Sequence, residues 1–214
     1  MLITRLEHCG LLIDSAGTRL GIDLGDFTAP EAVADLGLSA LVITHQHPDH
    51  YFEPNVRAAA APVAAPRDVI ELLPVGLTVH ALHPREPFEL AGFRIIAVPA
   101  DHGPRLSRPI ENYGLIIEHA GRRIYVIGDM AVATETPPHG PFDHVFISID
   151  DSGFVFTARQ AADFLTAIGH RGRVTPIHDG GEDGSCADEF ARLAAGRSEV
   201  LRIAPGDSIE VASC

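Results

Sequence analysis

Leu38-Ser39-Ala40-Leu41-Val42-Ile43-Thr44 is a nearly continuous apolar run, and it passes directly into His45-Gln46-His47-Pro48-Asp49-His50. A run of that kind is expected of a strand buried on both faces. In extended chain, residues two apart point the same way, so His45 and His47 are placed to bind one metal ion. Pro48 restricts the backbone and turns the chain, which lets Asp49 and His50 project toward a second ion beside the first. Imidazole and carboxylate together suit zinc, with manganese and iron as alternatives. With this chain's own His and Asp frequencies, such a pattern arises in about three of a thousand random chains. The hexapeptide alone is therefore not decisive.

Three further strand-to-loop junctions offer ligands for the same site. His102 follows Val98-Pro99-Ala100-Asp101, Asp129 follows Arg123-Ile124-Tyr125-Val126-Ile127-Gly128, and His178 follows Val174-Thr175-Pro176-Ile177. Gly128 permits a close backbone approach. Ligands carried at strand ends of an α/β chain sit where such folds keep their sites. The remaining histidines get structural readings: His80 and His83 at the surface, and His119, His139, His144 and His170 in turn-like contexts. Arg105 and Arg108 read as solvated charges ahead of an anion clamp. Asp150-Asp151-Ser152, after an apolar strand, is placed where it could border the pocket and is assigned no role.

The chain alternates strands and helices in both halves, which predicts an α/β fold. Leu11-Leu12-Ile13-Asp14 and Arg19-Leu20-Gly21-Ile22-Asp23 flank a turn supplied by Gly17, a hairpin signal. Gly92 and Gly121 mark two more such turns. Pro30 opens a short helix. Thr157 and Gln160 spell a capping box for a helix that runs to about Ile168 and stops at Gly169. Residues 103–109 form the clearest long loop. With no repeat, linker or low-complexity tract, one domain over residues 1–214 is expected.

Composition narrows the function. The formal net charge is -13, with Lys and Arg totalling 16 and no basic cluster, so nucleic acid is a poor partner. No apolar run approaches the roughly 20 residues of a membrane span. The N-terminus lacks the pattern of a secretion signal, so a cytoplasmic protein is expected. Cys9, Cys186 and Cys214 are widely spaced and odd in number, which argues against a disulfide framework.

The joint pattern resembles the metallo-β-lactamase superfamily, whose hallmark is T-H-x-H-x-D-H, then an isolated His, a G-D pair and a late His. Thr44 through His50, His102, Gly128-Asp129 and His178 occur here in that order. Leu6-Glu7-His8-Cys9-Gly10, Phe156-Thr157 with Gln160-Ala161-Ala162, and Pro176-Ile177-His178 are similar to the compact branch that includes ascorbate-phosphate lactonase. The resemblance implies a four-layer αββα sandwich with metals along one edge of two sheets. It implies one divalent ion on His45, His47 and His102, a second on Asp49, His50 and His178, Asp129 bridging both, and a shared hydroxide in the open positions. It also implies that Asp23 supports a metal-binding histidine by a hydrogen bond; a simple turn-forming role competes evenly. His8 lines the site or is a hydrogen-bonded structural histidine.

The chemistry expected of such a site is hydrolysis. A zinc ion lowers the pKa of water from near 15.7 to about 7 and polarises a carbonyl or phosphoryl oxygen. No G-x-S-x-G nucleophile elbow occurs in the chain. Asp49 is the candidate to accept a proton during turnover. The expected reaction is attack on a small ester, lactone, amide or phosphoester, with the substrate-binding residues unassigned and the oligomeric state open. Two alternatives stand beside it. One is an iron-dependent oxidative enzyme on the same scaffold; its diiron form usually carries Glu where this chain has His47. The other is a metal-binding module without catalysis. RNA-processing members need an added domain that this chain lacks, and a β-lactamase proper usually carries a secretion signal.

Overall fold

The computed structural model describes residues 1–133, 138, 140–179 and 185–212. The first half of the chain runs β1 (Leu2–Arg5), β2 (Leu11–Ser15), β3 (Thr18–Ile22), α1 (Pro30–Asp35), β4 (Ala40–Val42), α2 (Glu53–Ala59), β5 (Val63–Ala65), α3 (Arg67–Ile70) and β6 (Val79–Ala81). The second half runs β7 (Pro87–Leu90), β8 (Phe93–Pro99), β9 (Tyr113–His119), β10 (Arg122–Val126), β11 (His144–Ser148), α4 (Ala158–Ala167), β12 (Arg173–Ile177), α5 (Ser185–Ala194), β13 (Glu199–Val200) and β14 (Ser208–Glu210). Two seven-stranded sheets result, ordered β14-β1-β2-β3-β4-β5-β6 and β13-β12-β11-β10-β9-β8-β7. Each is antiparallel at one side and parallel at the other. β3 through β6 run parallel in the first sheet, and β10 through β13 run parallel in the second.

Period-two alternation explains why two sheets stack between two helical layers. Ala40 and Val42 of β4 face the inter-sheet core with Ile13, Ile22, Phe93, Ile95, Leu115 and Val126. Leu41 and Ile43 face the other way, against Val33, Val56 and Val69 of the first-half helices. In the second sheet Ile124, Val126 and Phe146 point inward. Tyr125, Ile127, Val145 and Ile147 pack outward on Phe164, Leu165 and Phe190 of α4 and α5. The expected four-layer αββα sandwich is what the residues build.

The capping box forms as read. Thr157 Oγ1 accepts from the Gln160 amide, and the Thr157 amide donates to Gln160 Oε1. Pro176 sits inside β12, a strand with neighbours on both sides, where a missing N–H normally breaks a ladder. Here Leu201 N donates to Val174 O, so even-numbered positions of β12 face β13, and β13 pairs only with Arg173 and Val174. The proline falls just past the end of that partner. The turn-like reading of His144 needs correction: it opens β11, is buried, and its Nε2 lies 2.8 Å from Thr175 Oγ1. The apolar run at Leu77-Thr78-Val79 also contributes only its last residue to a strand, β6. His139, Cys214 and most of the Gly/Asp-rich loop after His178 lie outside the described residues. Among those described, no helix is long and apolar enough to cross a membrane.

All three hairpins anticipated from Gly17, Gly92 and Gly121 use the same pair, Ala-Gly. Ala16, Ala91 and Ala120 take φ of 50, 49 and 48°, followed by glycines at 81, 81 and 73°. Both central residues at positive φ is the turn that matches strand twist, and alanine is strained there where asparagine is tolerated. Ala120 is exposed, so Ala120→Asn should stabilise by about 0.5–1 kcal/mol. That corresponds to a melting temperature roughly 1–4 °C higher, read by thermal denaturation under two-state conditions; an unchanged or lower midpoint would show the alanine turn to be unstrained.

Candidate metal centre

Four strand ends deliver the candidate ligands to one edge of the sandwich. His45, His47, Asp49 and His50 follow β4, His102 follows β8, Asp129 follows β10 and His178 follows β12. The two sheets are tied together there, since Tyr113 N of β9 donates to Thr44 O beyond β4 at 3.3 Å. Gly128 does what its place before Asp129 suggested: its φ is +72°, and a Cβ on it would lie 2.8 Å from Tyr113 O. Asn112 Nδ2 donates to Asp129 O at 2.5 Å.

The seven side chains form two groups that share one member. His45, His47, His102 and Asp129 bring one ligand atom each within 4.8 Å of one another, and so do Asp49, His50, Asp129 and His178. His45 Nε2 and His47 Nδ1 are 3.0 Å apart. In the second group, His50 Nε2 is 3.2 Å from Asp129 Oδ2 and 3.7 Å from Asp49 Oδ2, while His178 Nε2 is 3.3 and 3.4 Å from Asp49 Oδ2 and Asp129 Oδ2. Tetrahedral ligands held at 2.0–2.1 Å from a cation are separated by about 3.3 Å. Two buried polar atoms in the first group, His102 Nε2 and Asp129 Oδ1, have no hydrogen-bond partner. Buried groups of that kind are rarely left unmet. The donor set, the spacing and the two orphaned atoms fit a pair of divalent cations.

Four of the imidazoles have their outer nitrogen engaged, which aims the other at the cluster. His102 Nδ1 donates to Phe154 O at 3.0 Å; a carbonyl only accepts, so the tautomer is fixed with Nε2 free. His50 Nδ1 lies 2.9 Å from Asp23 Oδ2, and His45 Nδ1 lies 3.1 Å from Thr44 Oγ1. Asp23 is itself anchored, accepting from Thr44 N on Oδ1 and from Thr44 Oγ1 on Oδ2, both at 2.8 Å. It does more than form a turn. His178 Nδ1 faces Asp150 Oδ2 at 3.4 Å, an ion-pair contact without hydrogen-bond alignment. Asp150 is held for this by Ser152, whose N and Oγ both donate to Oδ1. Carboxylates behind ligating imidazoles orient the ring and raise its basicity.

Electrostatics divide the cluster. Burial lowers His45 well below the imidazole range, with His50 adding to it, and burial also lowers His47 and His102. These three are neutral at pH 7. Burial would lower His178 as well, but Asp129, Asp150 and Asp49 carry it up to about 10. His50 is likewise buried yet raised well above its ordinary value by the carboxylates of Asp129 and Asp23. Burial would raise Asp129 and Asp49. Charged His50 and His178 hold Asp129 far below the carboxylate range, and hydrogen bonds from His178 and His8 do the same for Asp49. Cys9, whose thiol burial pushes up to about 12, packs as a neutral group 3.6 Å from both ring nitrogens of His50.

His8 lies inside the site. Its Nε2 is 3.2 Å from Asp49 Oδ2, and its ring sits 4.0 Å from that of His178. His8, Asp23 and His178 all have left-handed φ, at 56, 49 and 54°, strain of the kind that collects at functional sites. The cluster opens to a cavity of about 470 Å³ bordered by Phe27, Leu106, Asp150, Ser152 and Phe154. Sequence reasoning assigned none of these five. Asp150 had a usable signal, since it follows the apolar run of β11 just as His178 follows that of β12. His80 and His83 lie away from the cluster, half-buried and exposed. Arg105 and Arg108 are exposed and do not line the cavity.

Comparison with known proteins agrees with this architecture. The chain is 28% identical over 203 residues to a UPF0173 metal-dependent hydrolase of Thermococcus onnurineus, an alignment covering 87% of this chain and 88% of that one. Its fold is similar to that of a metallo hydrolase of the archaeon Ignicoccus hospitalis, with a TM-score of 0.78 at 19% identity over 97% of both chains. It is also similar to CmlA, a diiron beta-hydroxylase from Streptomyces venezuelae, with a TM-score of 0.73 at 15% identity over 97% of this chain and 53% of that one. Residues 21–178 match the family described as the beta-lactamase superfamily domain, and the chain belongs to that family.

Proposed function

We propose that the chain is a metal-dependent hydrolase of small molecules with a dinuclear centre. His45, His47, His102 and Asp129 would hold one divalent ion, and Asp49, His50, His178 and Asp129 the other. The observation that carries this reading is Asp129, buried and common to both ligand groups, with Oδ2 turned to His50 and His178 and Oδ1 unpartnered. The name of the Thermococcus onnurineus relative supports the hydrolytic reading over an oxidative one. His47, where diiron members carry Glu, supports it too. The net charge of -13 favours a small molecule over nucleic acid.

Bound divalent ions, zinc by the donor set, would make water acidic enough to ionise at neutral pH and would polarise the bond under attack. The side chains do the rest. Asp23 holds His50, and Thr44 Oγ1 links Asp23 to His45, so two ligand rings are oriented by one carboxylate. Asp150 faces the outer nitrogen of His178. Asp49 borders the cavity with its side chain 23% exposed, and its carboxylate is the group placed to receive a proton from the attacking water. His8, 3.2 Å behind it, can then share the proton load. The attacked bond is that of an ester, lactone, amide or phosphoester.

Three measurements test this. In a hydrolysis screen over lactones, phosphodiesters and thioesters, wild type loaded with zinc should turn over at least one class. His47→Ala and chelator-treated protein should lose that turnover by at least about 100-fold; equal rates in all three would remove the metal from the reaction. Asp23→Ala should weaken metal binding about 10- to 100-fold while the far-ultraviolet circular dichroism stays native. Undiminished affinity would reduce Asp23 to a turn residue.

The third test concerns protons. His45, His47 and His102 are lowered, so their group is deprotonated at pH 7 and its affinity for metal should be flat across neutral pH. His178, near 10, is protonated at pH 7, so an ion entering its group must displace that proton. Affinity there rises as pH rises toward 10 and falls as pH drops. Titration calorimetry at pH 7 in two buffers of different ionisation enthalpy should show more protons released by the second equivalent of zinc than by the first. Equal release would contradict the division between the groups.

A further inference from the structure

The apolar residues that line the cavity beside the ligand cluster are Phe27, Leu106 and Phe154. Phe27 is 59% exposed. It thus borders the ligand cluster while most of it stays open to solvent. Its loop is firmly held. Asn55, fully buried on α2, places Nδ2 within 3.0, 2.7 and 2.8 Å of the carbonyl oxygens of Leu24, Gly25 and Thr28. Asp26 N donates to Pro48 O at 2.9 Å. Gly25 lies so close to Asp49 that a Cβ there would be 2.0 Å from the Asp49 carbonyl. The Phe27 ring then stacks on His8, with centroids 4.6 Å apart and planes 22° from parallel. The loop is thus braced on the same segment that supplies Asp49 and His50, and it presents a preorganised aromatic face to whatever occupies the cavity.

Beyond the candidate ligands Asp49, Asp129 and His178, the carboxylate on the cavity wall is that of Asp150, and no arginine lines it. The chain has no lysine, and the segments outside the described residues contain no arginine to add. Arg105 packs on Gly153, where a Cβ would lie 2.5 Å from its Nε, but it does not line the cavity. A phosphate or carboxylate tail that reached past the ligand cluster onto this wall would therefore meet the Asp150 carboxylate and no arginine or lysine.

Building on the hydrolase reading, we propose that this cavity selects an uncharged substrate bearing an aryl group next to the bond that is cleaved. Phe27 and Phe154 are the specificity-determining side chains, and the ring of the substrate packs between them and Leu106. Substrates with anionic tails are disfavoured.

Hydroxamates chelate divalent metals, so their affinity for the zinc-loaded protein separates the centre from its wall. Acetohydroxamate carries only a methyl group and reports the centre. Benzohydroxamate adds the ring, and 4-carboxybenzohydroxamate adds an anionic tail. By calorimetry, benzohydroxamate should bind at least about 10-fold tighter than acetohydroxamate. Phe27→Ala should abolish most of that ratio while leaving acetohydroxamate affinity unchanged. The carboxylated probe should bind several-fold more weakly than benzohydroxamate. Equal affinity of the methyl and phenyl probes, or a phenyl preference that survives in Phe27→Ala, overturns the aryl subsite and leaves the metal centre standing. Tighter binding of the carboxylated probe, lost in Arg105→Ala, overturns the exclusion of anions. Failure of all three probes to bind zinc-loaded protein brings down the metal-centre reading itself, and the subsite with it.

Discussion

The Asp129 carboxylate lies 1% exposed at the seam of the two sheets, and a charge placed there has to be met. One oxygen faces His50 and His178, from the first and second sheet respectively. The other has no protein partner. Around this group the local architecture is consistent. Gly128 brings the backbone against Tyr113 where a side chain would not fit, Asn112 takes the Asp129 carbonyl, and Tyr113 N bridges to Thr44 O on the opposite sheet. The interior of the sandwich is apolar, so the unmet oxygen cannot be turned inward. A cation at the edge is the arrangement that satisfies it, and the imidazoles of His45, His47 and His102 are buried as neutral donors beside it.

The topology is what makes a two-sheet site feasible. Each sheet carries a parallel half, and the carboxyl ends of those strands point to the same edge. β3 and β4 of one sheet deliver Asp23 and His45, and β10, β11 and β12 of the other deliver Asp129, Asp150 and His178. Strand ends fixed by ladders on both sides move little, which suits ligands whose separations must hold to a few tenths of an ångström. The left-handed backbone at His8, Asp23 and His178 shows that the chain leaves each element sharply at this edge. Such strain persists because the hydrogen bonds around it over-determine the geometry.

This division explains what could be read from the sequence. Apolar runs of strand length ending in His or Asp are visible without coordinates, and they located all seven side chains that the fold gathers. The αββα layering was reached only through the family resemblance; the alternation of strands and helices by itself reads no further than α/β. Asp150 was placed near the pocket but given no role, although it obeys the same strand-end logic, because its contact with His178 joins two separate strands of the sheet. His144 was misplaced because a histidine after Pro141-Phe142-Asp143 looks like a turn, while the burial that makes it a strand residue comes from Thr175, 31 residues away. Cys9 sits where the similar branch carries a small residue, and nothing local announces that its sulfur lies against His50.

Residues that face the substrate were not legible for a different physical reason. Phe27, Leu106 and Phe154 lie on connections, where no hydrophobic period constrains the side chain. Their convergence depends on long-range ties such as Asn55 to the Leu24–Thr28 loop and His102 Nδ1 to Phe154 O. The second tie makes Phe154 do two things: its carbonyl orients a candidate ligand while the residue also borders the cavity. Asp49 is similarly coupled to Phe27 through His8, by a 3.2 Å polar contact on one side of that imidazole and a stacked ring on the other. Orientation of the centre and shape of the pocket are therefore carried partly by the same residues. A change in the apolar wall will be felt at the ligands wherever it shifts the His8–Asp49 contact or the Phe154 backbone, and side-chain changes that spare those two contacts alter selectivity alone.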